Sequence, residues 1–95
     1  MDQTVEHKQQ GDRGMFFILQ DGKRIAEMTY SLTAPLRATI DHTQVDPSLR
    51  GGGVARRLLD AAVAWARAND IKFSSTCSYA SAQFGRDRSI RDVLA

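Results

Sequence analysis

The hydrophobic period of this sequence first turns from strand-like to helical at three consecutive glycines. Met15–Leu19 is a continuous apolar run, and in Arg24–Leu32 and Arg37–Val45 side chains fall on alternate faces with the two-residue period of strands. After Gly51–Gly53, apolar residues recur at helical spacing. A chain ordered this way lays down an antiparallel sheet first and then covers one face of it with a helix. The strand part divides at its turns. A loose tail at residues 1–4 precedes a short edge strand at Val5–Gln9 and a turn over 11–14. "MFFILQ" (15–20) reads as a strand, and Asp21-Gly22 as a two-residue hairpin turn whose residues take positive φ. In the returning strand, Arg24–Leu32, Ala26, Met28, Tyr30 and Leu32 share one face and Glu27, Thr29 and Ser31 the other. A connection around Pro35 leads to Arg37–Val45. Strict alternation there sets Thr39, Asp41, Thr43 and Val45 opposite Ala38, Ile40, His42 and Gln44. Asp46-Pro47 ends that strand, because proline cannot donate to a ladder.

The helix is expected over 53–69, with Ala55, Leu58, Leu59, Ala62, Trp65 and Ala66 on its buried stripe. Arg56, Arg57, Asp60 and Arg67 lie off the stripe, and Asn69-Asp70 supplies a stop. Extended structure returns at 71–75, a shorter helix follows at about 80–86, and "SIRDVLA" reads as a last helical turn. Phe16, Phe17, Phe84 and Trp65 read as core, and His7, near the N-terminal tail, has no supporting context. The fold class is therefore α+β: a mixed, mainly antiparallel sheet, a long helix in a right-handed β-α-β crossover, and a short C-terminal helix. At 95 residues this is one domain, 1–95, too small to enclose a deep active site.

Composition narrows the function classes. A single cysteine excludes a disulfide framework and a cysteine metal knuckle, and no His/carboxylate set has metal-ligand spacing. The polar start "MDQTVEHKQQGDRG" is unlike a signal peptide, and no apolar run is long enough to cross a bilayer. A cytoplasmic protein without membrane attachment, a monomer or weak dimer, is the expectation. The net charge of +2 is mild, and no aromatic-interleaved basic stripe supports nucleic-acid binding.

The glycine loop carries the chemistry. A helix start presents amide N–H groups without internal partners and a partial positive charge. Glycines there let the backbone approach an anion closely. Arg50 precedes the loop and Arg56 and Arg57 follow it, a local repulsion with the helix dipole that a polyphosphate would offset. The alternative is a flexible turn with solvated arginines. No lysine follows as in a nucleoside-triphosphate loop, and the dinucleotide glycine pattern is absent.

The segment "VDPSLRGGGVARRLLDAAVAWA" resembles the coenzyme-binding segment of the GNAT acetyltransferase superfamily. That pattern has an arginine or glutamine, two free positions, a glycine, one free position, then glycine or alanine; Arg50, Gly53 and Ala55 match it. "IDHTQV" before it and "TCSYA" after it resemble a compact branch of roughly 90-residue domains, over about residues 14 to 80. The resemblance implies acetyl-coenzyme A as co-substrate. Its pyrophosphate would lie on Gly51, Gly52, Gly53, Val54 and Ala55, with Arg50 and Arg56 beside them. Its amide-rich arm would pair with the edge of Thr43, Gln44 and Val45 as an added strand does. Strands 38–45 and 71–76 would splay to admit the thioester. Gly52 departs from the long polar residue common in the family, and "GRDRSIRDVLA" lacks the family's His-Pro-Glu-Tyr-like ending.

Acetyl transfer to an amine needs an unprotonated nitrogen, a polarised carbonyl and a proton for the departing thiolate. Cys77, at the end of the second splayed strand, either accepts the acetyl group or packs as a small hydrophobe. Tyr79 either protonates the thiolate or packs at a strand–helix junction. His42 is the candidate base, with a surface histidine as the alternative. The function expected is N-acetyl transfer from acetyl-coenzyme A to an amine, on a small molecule or a protein. The alternative is a non-catalytic acyl-coenzyme A binding module.

Overall fold

The computed structural model describes residues 4–95. Residues 1–3, most of the expected tail, lie outside the described residues. Five strands form one sheet in chain order: β1 (Val5–Gln10), β2 (Arg13–Gln20), β3 (Lys23–Ala34), β4 (Arg37–Val45) and β5 (Lys72–Ser75). The first four pair antiparallel, and β5 joins β4 in parallel after the crossover through α1 (Val54–Asn69). A second helix, α2 (Ser78–Arg86), and a 3-10 segment at Arg88–Val93 complete the chain. Asp21 and Gly22 take φ of 53° and 78°, as the hairpin turn requires. The expected fold class is the observed one.

Cross-strand register sorts the side chains onto two faces. On one lie Phe16, Ile18, Ala26, Met28, Tyr30, Ala38 and Ile40, all buried against Val54, Leu58, Leu59, Ala62, Val63 and Ala66 of α1. The other carries Lys8, Arg13, Met15, Phe17, Glu27, Thr29, Ser31, Thr39 and His42, none of them fully buried. The stripe expected of α1 holds in its centre. Val54 and Val63 join it, while Ala55 and Trp65 are only half-buried.

Four sequence expectations need correction. Phe17 is not core: it lies half-buried on the open face, with the Arg24 guanidinium 5.4 Å from its ring centre. The turn expected over 11–14 closes earlier, because Arg13 and Gly14 already pair with Gln10 and Gln9. Gly14 is in the strand for a packing reason: a Cβ there would overlap the ring of buried Tyr30. Strict alternation in β4 also fails. Thr29 pairs with His42 and Tyr30 with Ile40, so Asp41 is a bulge. The extra residue keeps Asp41 on the open face with Thr39 and His42, and turns Thr43 and Val45 to the helix side.

His7 is the fourth. It lies in β1, where the edge strand is expected, but it has context: it packs on the helix side, stacked 4.2 Å from Phe16, with Trp65 edge-on at 5.0 Å and Nε2 2.6 Å from the Tyr30 hydroxyl. Burial lowers its pKa below the ordinary 6.5. The folded chain thus favours the neutral ring. Its contribution to stability is complete above the unfolded value near 6.5 and is lost as pH falls through that value toward the lower folded one. Urea midpoints measured between pH 8 and pH 5 should decline below about 6.5, and His7→Phe should flatten that decline.

Candidate functional site

The site is where β4 and β5 part. Their pairing runs from Arg37–Lys72 to Ile40–Ser75 and stops. The amides of Thr76 and Cys77 both turn in to the Ile40 carbonyl, at 3.0 and 3.3 Å, and α2 begins at once. Beyond Ile40, Asp41–Val45 have β3 on one side and no strand on the other. A short strand followed immediately by a helix thus leaves five residues of β4 edge unpaired, beside the bulge that bends the strand.

The start of α1 closes one end of this gap. Gly51 and Gly53 take φ of 86° and 78°, and Gly53 is the N-cap without a side chain to cap the helix. The first intrahelical bond is donated by Arg57 to the Gly53 carbonyl at 3.1 Å, so the amides of Val54, Ala55 and Arg56 precede it. Two positive-φ glycines bring the chain into the helix. Gly52 has no positive φ, and a Cβ there would meet only the Leu49 carbonyl at 3.4 Å. A groove of about 520 Å³ opens onto this helix start. Val45, Arg50, Gly51, Gly53, Val54, Ala55 and Arg56 line it on one side, Tyr79, Gln83 and Arg86 on the other. The sequence reading missed Gln83 and Arg86; with Tyr79 they recur at i, i+4 and i+7, one face of α2.

Arg56 is more committed than expected. Its guanidinium bonds Asp60 and Gln83, each at 2.8 Å, and pairs with Asp87. These carboxylates raise its pKa and fasten the first turn of α1 to the end of α2. Asp87 is held down to about 2 by the Ser89 hydroxyl and by Arg56. Arg56 therefore builds the groove wall, with its charge partly spent on the protein.

Of the three residues considered for chemistry, two come together. Cys77 is the N-cap of α2, and its Sγ lies 3.2 Å from Thr43 Oγ1 across the mouth of the gap. Tyr79 stands on the first turn of α2 in the groove wall, its pKa raised by burial. His42 lies on the opposite face of the sheet, about half-exposed, with Nε2 3.4 Å from Glu27. The bulge at Asp41 is the reason, since it rotates His42 away from the side that Thr43 and Cys77 share. Gln44 shares that open face, with Glu27 as its cross-strand partner. Among the described residues, no group of His, Cys, Asp and Glu has the arrangement to hold a metal ion, and no helix is long and apolar enough to cross a membrane.

Known proteins bear on this geometry. Residues 15–93 match the family model of the GCN5-related N-acetyl-transferases. A GCN5-like protein of Staphylococcus aureus, solved by NMR, superposes over 100% of this chain and 91% of its own, at 34% identity and a TM-score of 0.75. Nourseothricin acetyltransferase is 26% identical over 68% of this chain and 40% of its own, with a TM-score of 0.57. The ribosomal-protein-alanine N-acetyltransferase of Brucella melitensis shares the fold, at 20% identity and a TM-score of 0.62, over 92% of this chain and 66% of its own. No curated protein matches the chain. The unpaired β4 edge, the glycine-led helix and the full-length match to the small staphylococcal protein agree, and the chain belongs to the GCN5-related N-acetyltransferase family.

Proposed function

We propose that the protein transfers the acetyl group of acetyl-coenzyme A to a primary amine. What carries the reading is the unpaired edge of Asp41–Val45 running into the groove at the start of α1. The diphosphate would accept hydrogen bonds from the amides that precede the first intrahelical bond, with Arg50 at the groove rim. The amide-rich arm would pair with the edge of β4 at Thr43–Val45, which directs the thioester to the gap beside Ile40 and Cys77. The amine nitrogen attacks the thioester carbonyl, the C–S bond breaks, and one proton passes from nitrogen to sulfur. The products are an acetamide and free coenzyme A. Tyr79, its hydroxyl protonated at neutral pH, lines the groove and would give the thiolate its proton, to be replaced by the one the amine loses.

Cys77 offers a two-step variant of the same reaction. Its thiol would take the acetyl group and release coenzyme A, and the amine would then cleave the new thioester, restoring the thiol. Intact-mass measurement after incubation with acetyl-coenzyme A should find one labile acetyl group, absent from Cys77→Ser. Full activity of Cys77→Ser with no adduct on the parent protein assigns the thiol to packing against Thr43.

The function itself is tested by calorimetric titration with acetyl-coenzyme A beside a thiol-release assay over a panel of amines. Binding with turnover is the expected result. Coenzyme at 100 times its dissociation constant should stabilise the fold by about 2.7 kcal/mol. Tight binding with no turnover on any amine would make the protein a carrier or sensor of the coenzyme instead.

A further inference from the structure

The face of the sheet turned away from α1 carries a second hollow, of about 500 Å³, lined by Lys8, Gln10, Arg13, Gly14, Met15 and Thr29. Two neighbouring cross-strand rows account for its content. One runs Lys8, Met15, Thr29, His42 and the other Gln10, Arg13, Ser31, Thr39. The bulged Asp41 stands where both reach β4. Its Oδ1 accepts a hydrogen bond from Thr29 Oγ1 at 2.5 Å and its Oδ2 one from Ser31 Oγ at 3.4 Å, which hold the carboxylate over β3, next to the Thr29 that lines the hollow. Arg13 Nη2 lies 3.9 Å from the same carboxylate, but the Arg13 side chain is 72% exposed. An ion pair that exposed is screened by solvent and adds little, so Arg13 can exchange partners at low cost.

We infer that this hollow is the acceptor site. It takes a small primary amine bearing a carboxylate or phosphate roughly 5–10 Å from the nitrogen, one to two strand spacings. The inference rests on the acetyl-transfer reading. The groove at α1, with Thr43, Val45 and Cys77, lies on the helix side of the β4–β5 gap. A coenzyme bound there leaves the other side of the gap for the acceptor. Asp41 stands on that other side, one residue beyond the last paired residue of β4. An incoming amine binds as its ammonium in the place of Arg13 at the Asp41 carboxylate and gives one proton to solvent before it attacks; the released guanidinium and Lys8 take the anion, and Met15 packs against the methylenes between. The exchange leaves neither Asp41 nor Arg13 unpaired. An amine without the anion leaves Arg13 competing for Asp41 and gains nothing from Lys8.

Isotope-labelled protein is titrated with 6-aminohexanoate, 4-aminobutyl phosphate and 6-aminohexanamide, with and without saturating coenzyme A, and followed by amide NMR shifts. The two anionic amines should give saturable shifts at Lys8, Arg13, Met15 and Thr29, about tenfold tighter than the amide. The tighter of the two identifies the anion. Arg13→Ala, at an exposed position, should abolish that preference with coenzyme affinity unchanged. Equal binding of all three, shifts confined to other surfaces, or no saturable shift overturns the acceptor site. Coenzyme A that leaves residues 50–56 unperturbed overturns the acetyl-transfer reading instead, and the two failures are read from different amides of the same spectra.

Discussion

Ala55→Glu is expected to weaken acetyl-coenzyme A binding at least about a hundredfold, a loss near 2.7 kcal/mol, while the free protein melts no lower than the parent. The two effects separate because of where Ala55 sits. It is the second residue of α1, half-buried in the wall of the groove, in ordinary helical backbone. A carboxylate in the first turn interacts favourably with the helix dipole, by about 0.3–1 kcal/mol. No acidic residue occupies that turn in the parent sequence. The same carboxylate would stand where the diphosphate is proposed to bind, repelling it and filling its space. Ala55→Gln supplies the volume without the charge, so the difference between the two variants reads the electrostatic part, and added salt should shrink that difference. Substituting Gly53 would be a poorer probe, because its φ of 78° penalises any side chain whatever the ligand does. Parent-like binding by Ala55→Glu would remove the diphosphate from this helix start.

Gly14→Ala should destabilise the fold by at least about 3 kcal/mol and lower the melting temperature by more than about 10 °C. The methyl group would be built into the ring of Tyr30, which is 1% exposed. The ring has nowhere to withdraw: Phe16 is 5.7 Å away and Trp65 4.9 Å away, centre to centre, and His7 holds its hydroxyl. A domain of this size has a total stability of roughly 5–10 kcal/mol, so the loss is a large part of it. Urea unfolding of Gly14→Ala, Tyr30→Val and the double variant checks the cause. If overlap is the mechanism, the double variant is more stable than the two single losses added together predict. Strict additivity would mean that Gly14 matters for another reason.

These two glycine-related positions illustrate what was legible. The glycines of 51–53 stand at a change of hydrophobic period, so sequence reading placed them at a helix start, where Gly53 is indeed the N-cap. Gly14 follows Gly11 and Asp12 within three residues, and local chemistry made it a turn. Its partner Tyr30 is sixteen residues away and touches it only because β2 and β3 pair. His7 was lost in the same way: a polar start gives it no context until Phe16, Tyr30 and Trp65 arrive from three other elements. Arg56 read as a ligand for phosphate because Asp87, thirty-one residues on, is not visible as its partner from the sequence.

The sequence by itself determined the order of elements, the hairpin at Asp21-Gly22, the buried stripe of α1 and the helix start at the glycines. Each is written in residues near one another along the chain, through periodicity and backbone preference. Only the tertiary structure decided which side of the sheet each site residue serves. One unpaired residue, Asp41, reverses the alternation of β4. A bulge has no local signature, because it is fixed by the register of β3 against β4 rather than by the residue that bulges. That single offset places Thr43 beside Cys77 on the helix side and leaves Asp41 and His42 on the open face.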